Sequence, residues 1–278
     1  MASLEINAIM AGSSASASAS ASASASAIEV SALTVTFGGL QAVDKLSFTV
    51  APGTIKGIIG PNGAGKTTLF NAISGITPPT SGNIMLDGTD ITALRPHQRA
   101  ALGLSRTFQN LQLFPQMSVL ENVMVGAHPR MSAGWLSGMF GLGGAEERVY
   151  EAEAYRLLAL LGLETRAGDL AADLGFADAK LLEIARAMAA KPRVLLLDEP
   201  IAGVPLEDQN RILKVIRAIN ADGVTIVLVE HNMRVVMSAC ADILVINYGK
   251  RLAEGKPADV ARNPEVIRAY LGGEAVHA

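Results

Sequence analysis

Cysteine occurs once in 278 residues, at Cys240. That excludes a disulfide framework and a cysteine-rich metal cluster, and it fits a reducing compartment. Cys240 itself reads as a small packed hydrophobe. Aromatic residues make up only 4% of the chain, too few for the base-stacking platforms of single-strand binders. Basic charge is not in excess either. The net charge is −3 and the pI about 5.8, so no general field attracts nucleic acid. No uncharged apolar run reaches the roughly 18 residues of a transmembrane helix. The stretch Met131 to Ala145 is apolar and glycine-rich but too short to span. The start, MASLEINAIMAG, has no basic region and carries Glu5, which makes a poor secretory signal.

What the chain does have is apolar mass, at 50% of residues. Serine and alanine alternate from Ser14 to Ala27. Their side chains are too small to bury much surface, so residues 1–27 read as a disordered tether. The remaining ~250 residues suffice for one large α/β domain with room for a subdomain. Strands are expected over Ile28 to Phe37 and Val43 to Val50, separated by Gly38-Gly39. Further strands are expected at Ile55 to Ile59, Asn83 to Leu86 and Leu104 to Phe108. Val194 to Leu197 and Val224 to Val229 are continuous apolar runs, as a sheet covered on both faces demands. Ile243 to Asn247 and Lys250 to Glu254 close as a hairpin about Tyr248-Gly249. Helices are expected over Lys66 to Ser74, Pro96 to Ala101, Asp178 to Ala190, Glu207 to Asn220, from Asn232, and over Pro257 to Ala261 and Pro264 to Tyr270. From Ser118 to about Leu161 the pattern is mostly helical, broken at Pro129 and the glycines near Gly141.

The most informative stretch is Gly60-Pro61-Asn62-Gly63-Ala64-Gly65-Lys66-Thr67-Thr68. It has the G-x-x-x-x-G-K-T spacing of a phosphate-binding loop, between an expected strand and an expected helix. Glycines let successive N–H groups point inward at phosphate oxygens, and the helix N-terminus behind them favours negative charge. Lys66 can reach β- and γ-phosphates, and the Thr67 hydroxyl can ligate Mg²⁺. Asp198-Glu199 ends an apolar strand, where an open parallel sheet places its ligands. Asp198 is placed to hold Mg²⁺ through water, and Glu199 to orient or deprotonate an attacking water. His231 ends the next buried strand and could contact a γ-phosphate, although a histidine there is more often structural. Gln109 closes the Leu104 to Phe108 strand, where an amide can bridge a metal-bound water and a moving segment. Phe37 could stack on a purine or pack in the core.

Taken in order, Phe37-Gly38-Gly39, Gly60 to Thr68, Gln109, Leu174 to Asp178, Val194 to Pro200 and His231 resemble the ATP-binding subunit of an ABC transporter. The resemblance covers Ile28 to Gly272. More narrowly, the chain resembles the subunits that power branched-chain amino-acid import. That rests on Arg106-Thr107-Phe108-Gln109-Asn110, the apolar insert after Gly126, Leu182 to Ala187, Glu230 to Met233, and Asn263-Pro264 with Ala269 to Gly272. Importers of urea and amides share these features.

The resemblance implies an α/β fold of the P-loop NTPase, ABC type. Its central sheet would be mostly parallel, with an antiparallel β-subdomain and a helical subdomain at about 111–190. The domain would span 28–272, leaving 273–278 as a tail. It implies ATP and Mg²⁺ as ligands. Phe37 would stack on adenine, residues 60–68 and Gln109 would contact nucleotide, and Thr67, Gln109 and Asp198 would serve the metal. Glu199 would be the catalytic base and His231 the switch histidine. The implied partners are a second ATP-binding subunit, two membrane permease subunits and, indirectly, a periplasmic solute-binding protein. The implied location is peripheral, on the cytoplasmic face of the inner membrane.

Two stretches depart from the family pattern. The family signature reads Leu-Ser-Gly-Gly-Gln, whereas this chain has Leu174-Gly175-Phe176-Ala177-Asp178. Gly175 lacks the hydroxyl that would donate to a partner's γ-phosphate, a charge-assisted bond worth about 1.5–3 kcal/mol. Ala177 adds a methyl where backbone approaches phosphate, and Asp178 adds negative charge. Pro205 replaces an aspartate in the loop after Glu199-Pro200, removing an N–H. What this chain uses on its own ATP is intact, and what it lends to a partner's ATP is altered. A heterodimer with two unequal sites is one expectation, and tolerated drift with both sites active is the other. Two further functions compete with amino-acid import. A soluble ATPase of translation or DNA repair would carry two nucleotide domains or long coiled coils, and this chain has one phosphate loop and no sustained heptads. An export or lipid-transport subunit would share the architecture but not the apolar insert.

Overall fold

A computed structural model of the chain describes residues 26–109, 111–130 and 144–271. One antiparallel sheet joins β1 (Ile28–Phe37), β2 (Leu40–Val50), β4 (Ser81–Leu86) and β5 (Thr89–Asp90) in the order β2-β1-β4-β5. The second sheet contains β3 (Ile55–Ile59), β6 (Leu104–Arg106), β7 (Val194–Asp198), β8 (Thr225–Val229), β9 (Asp242–Asn247) and β10 (Lys250–Gly255). Its order is β10-β9-β3-β8-β7-β6, parallel except for the β9–β10 hairpin. The helices are α1 (Lys66–Ser74), α2 (Pro96–Ala101), α3 (Val119–Gly126), α4 (Gly144–Leu161), α5 (Phe176–Ala189), α6 (Leu206–Ala221), α7 (Met233–Ala239), α8 (Pro257–Arg262) and α9 (Pro264–Leu271).

The central parallel strands carry apolar residues on both faces because each face meets a different core. On β7, Leu195 and Leu197 pack with α5 and α6 residues such as Leu182 and Ile216. Their neighbours Val194 and Leu196 pack with Phe70 of α1 and with Val35, Val43 and Ile84 of the antiparallel sheet. β8 and β9 split the same way, with Ile226 and Ile243 on one side and Val227 and Leu244 on the other. Each fully buried Leu, Ile or Val contributes about 1.5–3 kcal/mol. β1 alternates over Ile28 to Ser31 and then buries Leu33, Thr34 and Val35 in succession, with a register shift between Val30 and Leu33, where Ala32 takes a φ of 48°.

Local chemistry explains where elements stop. The strand expected over Leu104 to Phe108 ends at Arg106. Thr107 still donates its N–H to the Leu196 carbonyl, but the Phe108 N–H donates to Glu183 Oε1 at 3.0 Å and leaves the ladder. Gln109 therefore lies beyond the strand rather than closing it. α3 starts on a capping box in which Ser118 Oγ accepts the Glu121 N–H at 3.1 Å and the Glu121 carboxylate accepts the Ser118 N–H at 2.7 Å. Those hydrogen bonds hold the Glu121 carboxyl below its usual range. The last carbonyls of α1 are capped by buried Arg99, whose Nη1 donates to Ala72 O at 2.6 Å and Ile73 O at 2.7 Å. Cys240 is buried against β3, where a Cβ on Gly57 would lie 2.9 Å from its sulfur. Burial pushes its thiol up to about 12, so it stays a protonated, packed side chain. Ala27 already belongs to the antiparallel sheet's packing. It is buried, and its N–H donates to the Val50 carbonyl at 2.8 Å. Ala27, which composition put in the tail, is thus part of the packed fold. The rest of the Ser14 to Ala27 tract, up to residue 25, lies outside the described residues. So do Asn110, most of the Met131 to Ala145 insert and the tail from Gly272.

Candidate nucleotide site

The carboxyl ends of β9, β3, β8, β7 and β6 share one edge of the parallel sheet. The chain segments leaving that edge carry most of the expected site residues: Gly60 to Thr68 after β3, Gln109 after β6, Glu199 after β7 and His231 after β8. A cleft of about 510 Å³ opens there, lined by Asn62 to Thr68, Gln109 and Glu199, and by Phe37, Leu40, Gln41, Ala42, Tyr248 and Gly249.

The loop holds its shape through close backbone approach. Gly65 has a φ of 102°, and a Cβ there would lie 2.3 Å from the Ala42 carbonyl oxygen. A Cβ on Gly60 would lie 2.1 Å from the Ile246 carbonyl oxygen. No side chain caps the N-terminus of α1 and its first turn holds no acid, so its N-terminal donors and partial positive charge remain directed at the loop. That arrangement fits an anion cradled by backbone. Lys66 lies inside the loop, only 8% exposed, with Nζ donating to Gly60 O at 2.7 Å and Pro61 O at 2.9 Å. Burial lowers its pKa, and the charges of Glu199 and Asp198 act against that shift. Pro61 and Gly60 supply those carbonyls but do not line the cleft.

Glu199 is the junction of the site. Its backbone takes a left-handed φ of 50°, a strained conformation for a side-chain-bearing residue. The strain is held by its N–H donating to the Val229 carbonyl at 2.9 Å. One carboxylate oxygen accepts from Gln109 Nε2 at 3.2 Å, and the other lies 3.4 Å from His231 Nδ1. Gln109 and His231 thus meet at Glu199, though His231 is half exposed and does not line the cleft itself. Asp198 is buried behind the cleft. Burial raises its pKa, opposed by Arg106, whose Nη2 lies 2.9 Å from Oδ2. Arg106 in turn donates to Asn71 Oδ1 and Ser74 Oγ of α1 and lies over the Phe70 and Phe108 rings. Phe37 ends β1 at the cleft, 53% exposed, so it is not packed in the core.

Phe108, Gln109 and Gln112 are gripped by one face of α5, at positions spaced by three. Glu183 accepts the Phe108 N–H, Lys180 Nζ donates to the Gln109 carbonyl at 3.1 Å, and Arg186 donates to the Gln112 carbonyl. α5 begins at the altered signature. Gly175 is its N-cap and offers no side-chain hydrogen bond. Asp178 is tied within this chain, with Arg211 Nη1 at 2.6 Å from Oδ1 and Arg166 Nη1 at 3.3 Å from Oδ2. The exposed Phe176 ring lies against Gly203 in the loop that ends at Pro205.

Several of these residues escaped sequence reading. Leu40, Gln41, Ala42 and Tyr248 reach the cleft through strand order, which local pattern does not encode. Arg106 was visible only as part of a resemblance, and its link to Asp198 needs β6 beside β7.

A strand-borne phosphate loop with an acidic pair on the next strand but one defines a P-loop ATPase of ABC architecture. The chain belongs to the ABC transporter ATP-binding family. The family's characteristic pattern, described as ABC transporter, matches residues 43–202. A second pattern, described as branched-chain amino acid ATP-binding cassette transporter, matches residues 250–276. The chain is 41% identical to the high-affinity branched-chain amino acid transport ATP-binding protein BraF of Pseudomonas aeruginosa, over 88% of this chain and 97% of that protein. It is 40% identical over the same shares to LivG of Escherichia coli K12, which carries the same description. A nucleotide-free ATP-binding cassette from an ABC transporter superposes with a TM-score of 0.79 at 30% identity, covering 88% of this chain and 98% of that one.

Proposed function

We propose that this chain is the ATP-hydrolysing subunit of an importer for branched-chain or related amino acids. The observation that carries the reading is the junction at Glu199, whose carboxylate is held by Gln109 and His231 at the mouth of the phosphate-loop cleft. Phe37 would pack against the adenine, and the N–H groups of Gly63 to Thr68 would cradle the phosphates. Lys66 would balance the β- and γ-phosphate charge. Glu199 would take the proton from the attacking water, with Gln109 and His231 fixing the carboxylate's orientation. Among the described residues no cluster of three or more His, Cys, Asp or Glu could hold a metal alone. That fits Mg²⁺, which is commonly held by one or two side chains together with substrate phosphates. Thr67 and Gln109 would hold it directly and Asp198 through water, since one Asp198 oxygen is engaged by Arg106. When bound, the ion would neutralise charge developing on the phosphates.

The partners follow from the same reading. The altered signature supports a heterodimer in which this chain's loop and Glu199 form the hydrolytic site, completed by a partner's intact signature. The reciprocal site, built on Gly175 and Ala177, would turn over slowly. Among the described residues no helix is long and apolar enough to cross a membrane, so the subunit would attach peripherally, through two permease subunits, at the cytoplasmic face of the inner membrane. A periplasmic binding protein would deliver the solute. The test is reconstitution with the permeases, a partner ATPase and a binding protein. ATPase activity stimulated by leucine, isoleucine or valine is expected, and stimulation by urea or short amides alone overturns the assignment. In the same assembly Glu199→Gln removes most hydrolysis, and survival of most activity sinks the unequal-site reading.

A further inference from the structure

The cleft has an aromatic residue that the reading above does not use. Tyr248 sits in the β9–β10 turn, 83% exposed, and lines the same cleft as Phe37 and Leu40. Exposing so much of a tyrosine ring contributes nothing to the fold of this chain. Its backbone is strained as well, with a φ of 47°. Asparagine or glycine would fit that turn position better.

The turn is fastened by three contacts, one to the phosphate loop and two to Asp44 of β2. The Gly249 N–H donates to the Ala64 carbonyl of the phosphate loop at 2.9 Å. The Asp44 N–H of β2 donates to the Gly249 carbonyl at 2.9 Å. Lys250 Nζ lies 3.2 Å from Asp44 Oδ2. A Cβ on Gly249 would lie 2.8 Å from the Ala42 carbonyl oxygen, so turn and strand touch through backbone. The ring is therefore presented from a turn that is hydrogen-bonded directly to the loop that grips phosphate. The cleft lining is of two chemical kinds. Lys66, Thr67 and Thr68 supply donors, while Phe37, Leu40 and Tyr248 supply apolar surface. A nucleoside attached to phosphates held at the loop would have these apolar side chains within the same cleft.

We infer that Tyr248 is a positioning residue for the nucleoside, forming with Phe37 a two-sided apolar subsite for the base and its sugar. The inference rests on the nucleotide occupying this cleft. One aromatic face contributes through stacking and burial, on the order of two- to tenfold in affinity.

The experiment is calorimetric titration of the full-length chain with ADP and, separately, with inorganic tripolyphosphate, which has no base or sugar. Tyr248→Asn removes the ring yet suits the left-handed backbone, and Tyr248→Phe keeps the ring. The asparagine variant is expected to bind ADP about fivefold more weakly and tripolyphosphate as the parent does, with the phenylalanine variant close to the parent for both. Unchanged ADP affinity in Tyr248→Asn overturns the inference. So does an equal loss for ADP and tripolyphosphate, which would mark a disturbed loop rather than a lost stacking face. If the parent binds neither ligand, the nucleotide reading of the cleft fails first and takes the inference with it.

Discussion

The phosphate-loop end and the signature end of this chain are both helix N-termini preceded by glycine, yet they are built in opposite ways. At the start of α1 the loop leaves its backbone donors open, its first turn holds no acid, and the buried Lys66 is satisfied by two loop carbonyls. At α5 the first turn holds Asp178, already paired with Arg166 and Arg211. A helix end that has neutralised its own partial charge with its own carboxylate has less to offer an external anion. The two arginines are not idle surface charges. Arg211 also donates to the Leu161 and Gly162 carbonyls, and Arg166 to the Asp173 carbonyl. The first end is arranged to bind, and the second is arranged to be held.

The largest effect should separate the two ends most clearly. Glu199→Gln is expected to lower ATP hydrolysis of the assembled transporter by a factor of about 10² to 10³, read as phosphate release, because the amide cannot accept the water's proton. The second experiment repairs the weak end. Gly175→Ser with Ala177→Gly and Asp178→Gln should raise hydrolysis by the assembly about twofold, as a second site joins the first. A rate equal to the parent's would mean that the contrast between the ends has no catalytic consequence. The third probes how firmly the signature is held. Arg211→Ala breaks the short pair to Asp178 and two hydrogen bonds to the Leu161 and Gly162 carbonyls, and should lower the melting temperature by about 2–4 °C. An equal drop in an Asp178→Asn background would show that the pair itself carries little.

The smallest effect concerns pH. Burial raises the pKa of Glu230, while its acceptor bonds from the Ile201 and Asn232 N–H groups act the other way. A carboxyl whose folded pKa lies above its unfolded one stabilises the fold fully below the unfolded value. That contribution is lost as pH rises through the folded value. Glu230→Gln keeps an acceptor oxygen and removes the titration. Its melting temperature relative to the parent should therefore climb by a degree or two between pH 4.5 and 7.5, on the order expected for a partial shift. A flat difference across that range would place the titration elsewhere.

How much of this was legible in the sequence depended on whether the cause was local. β1, β3, α1 and α2 have the bounds that periodicity and turn residues suggest, because Gly38, Gly53, Gly75 and Pro96 punctuate them. The end of β6 was misplaced by two residues because its terminator, Glu183, lies 75 positions away. The phosphate loop was legible because its chemistry is contiguous. The other half of the cleft was not. Ala42, Gly249 and Gly65 meet only because β9 lies beside β3 and the turn after it reaches across to β2.

That strand order has a consequence for how the protein is made. The strand carrying the loop, β3, is complete at Ile59, but its two neighbours in the sheet are β8 and β9, which end at Val229 and Asn247. On the ribosome both edges of β3 stay unpaired until more than four-fifths of the chain has been synthesised. An apolar strand with two open edges is a site for wrong pairing. The sheet also closes through contacts of high sequence separation, which form slowly. Nascent chains stopped before Asp242 should therefore be the ones that engage chaperones, and the cleft should acquire affinity for nucleotide only after the last hairpin has emerged.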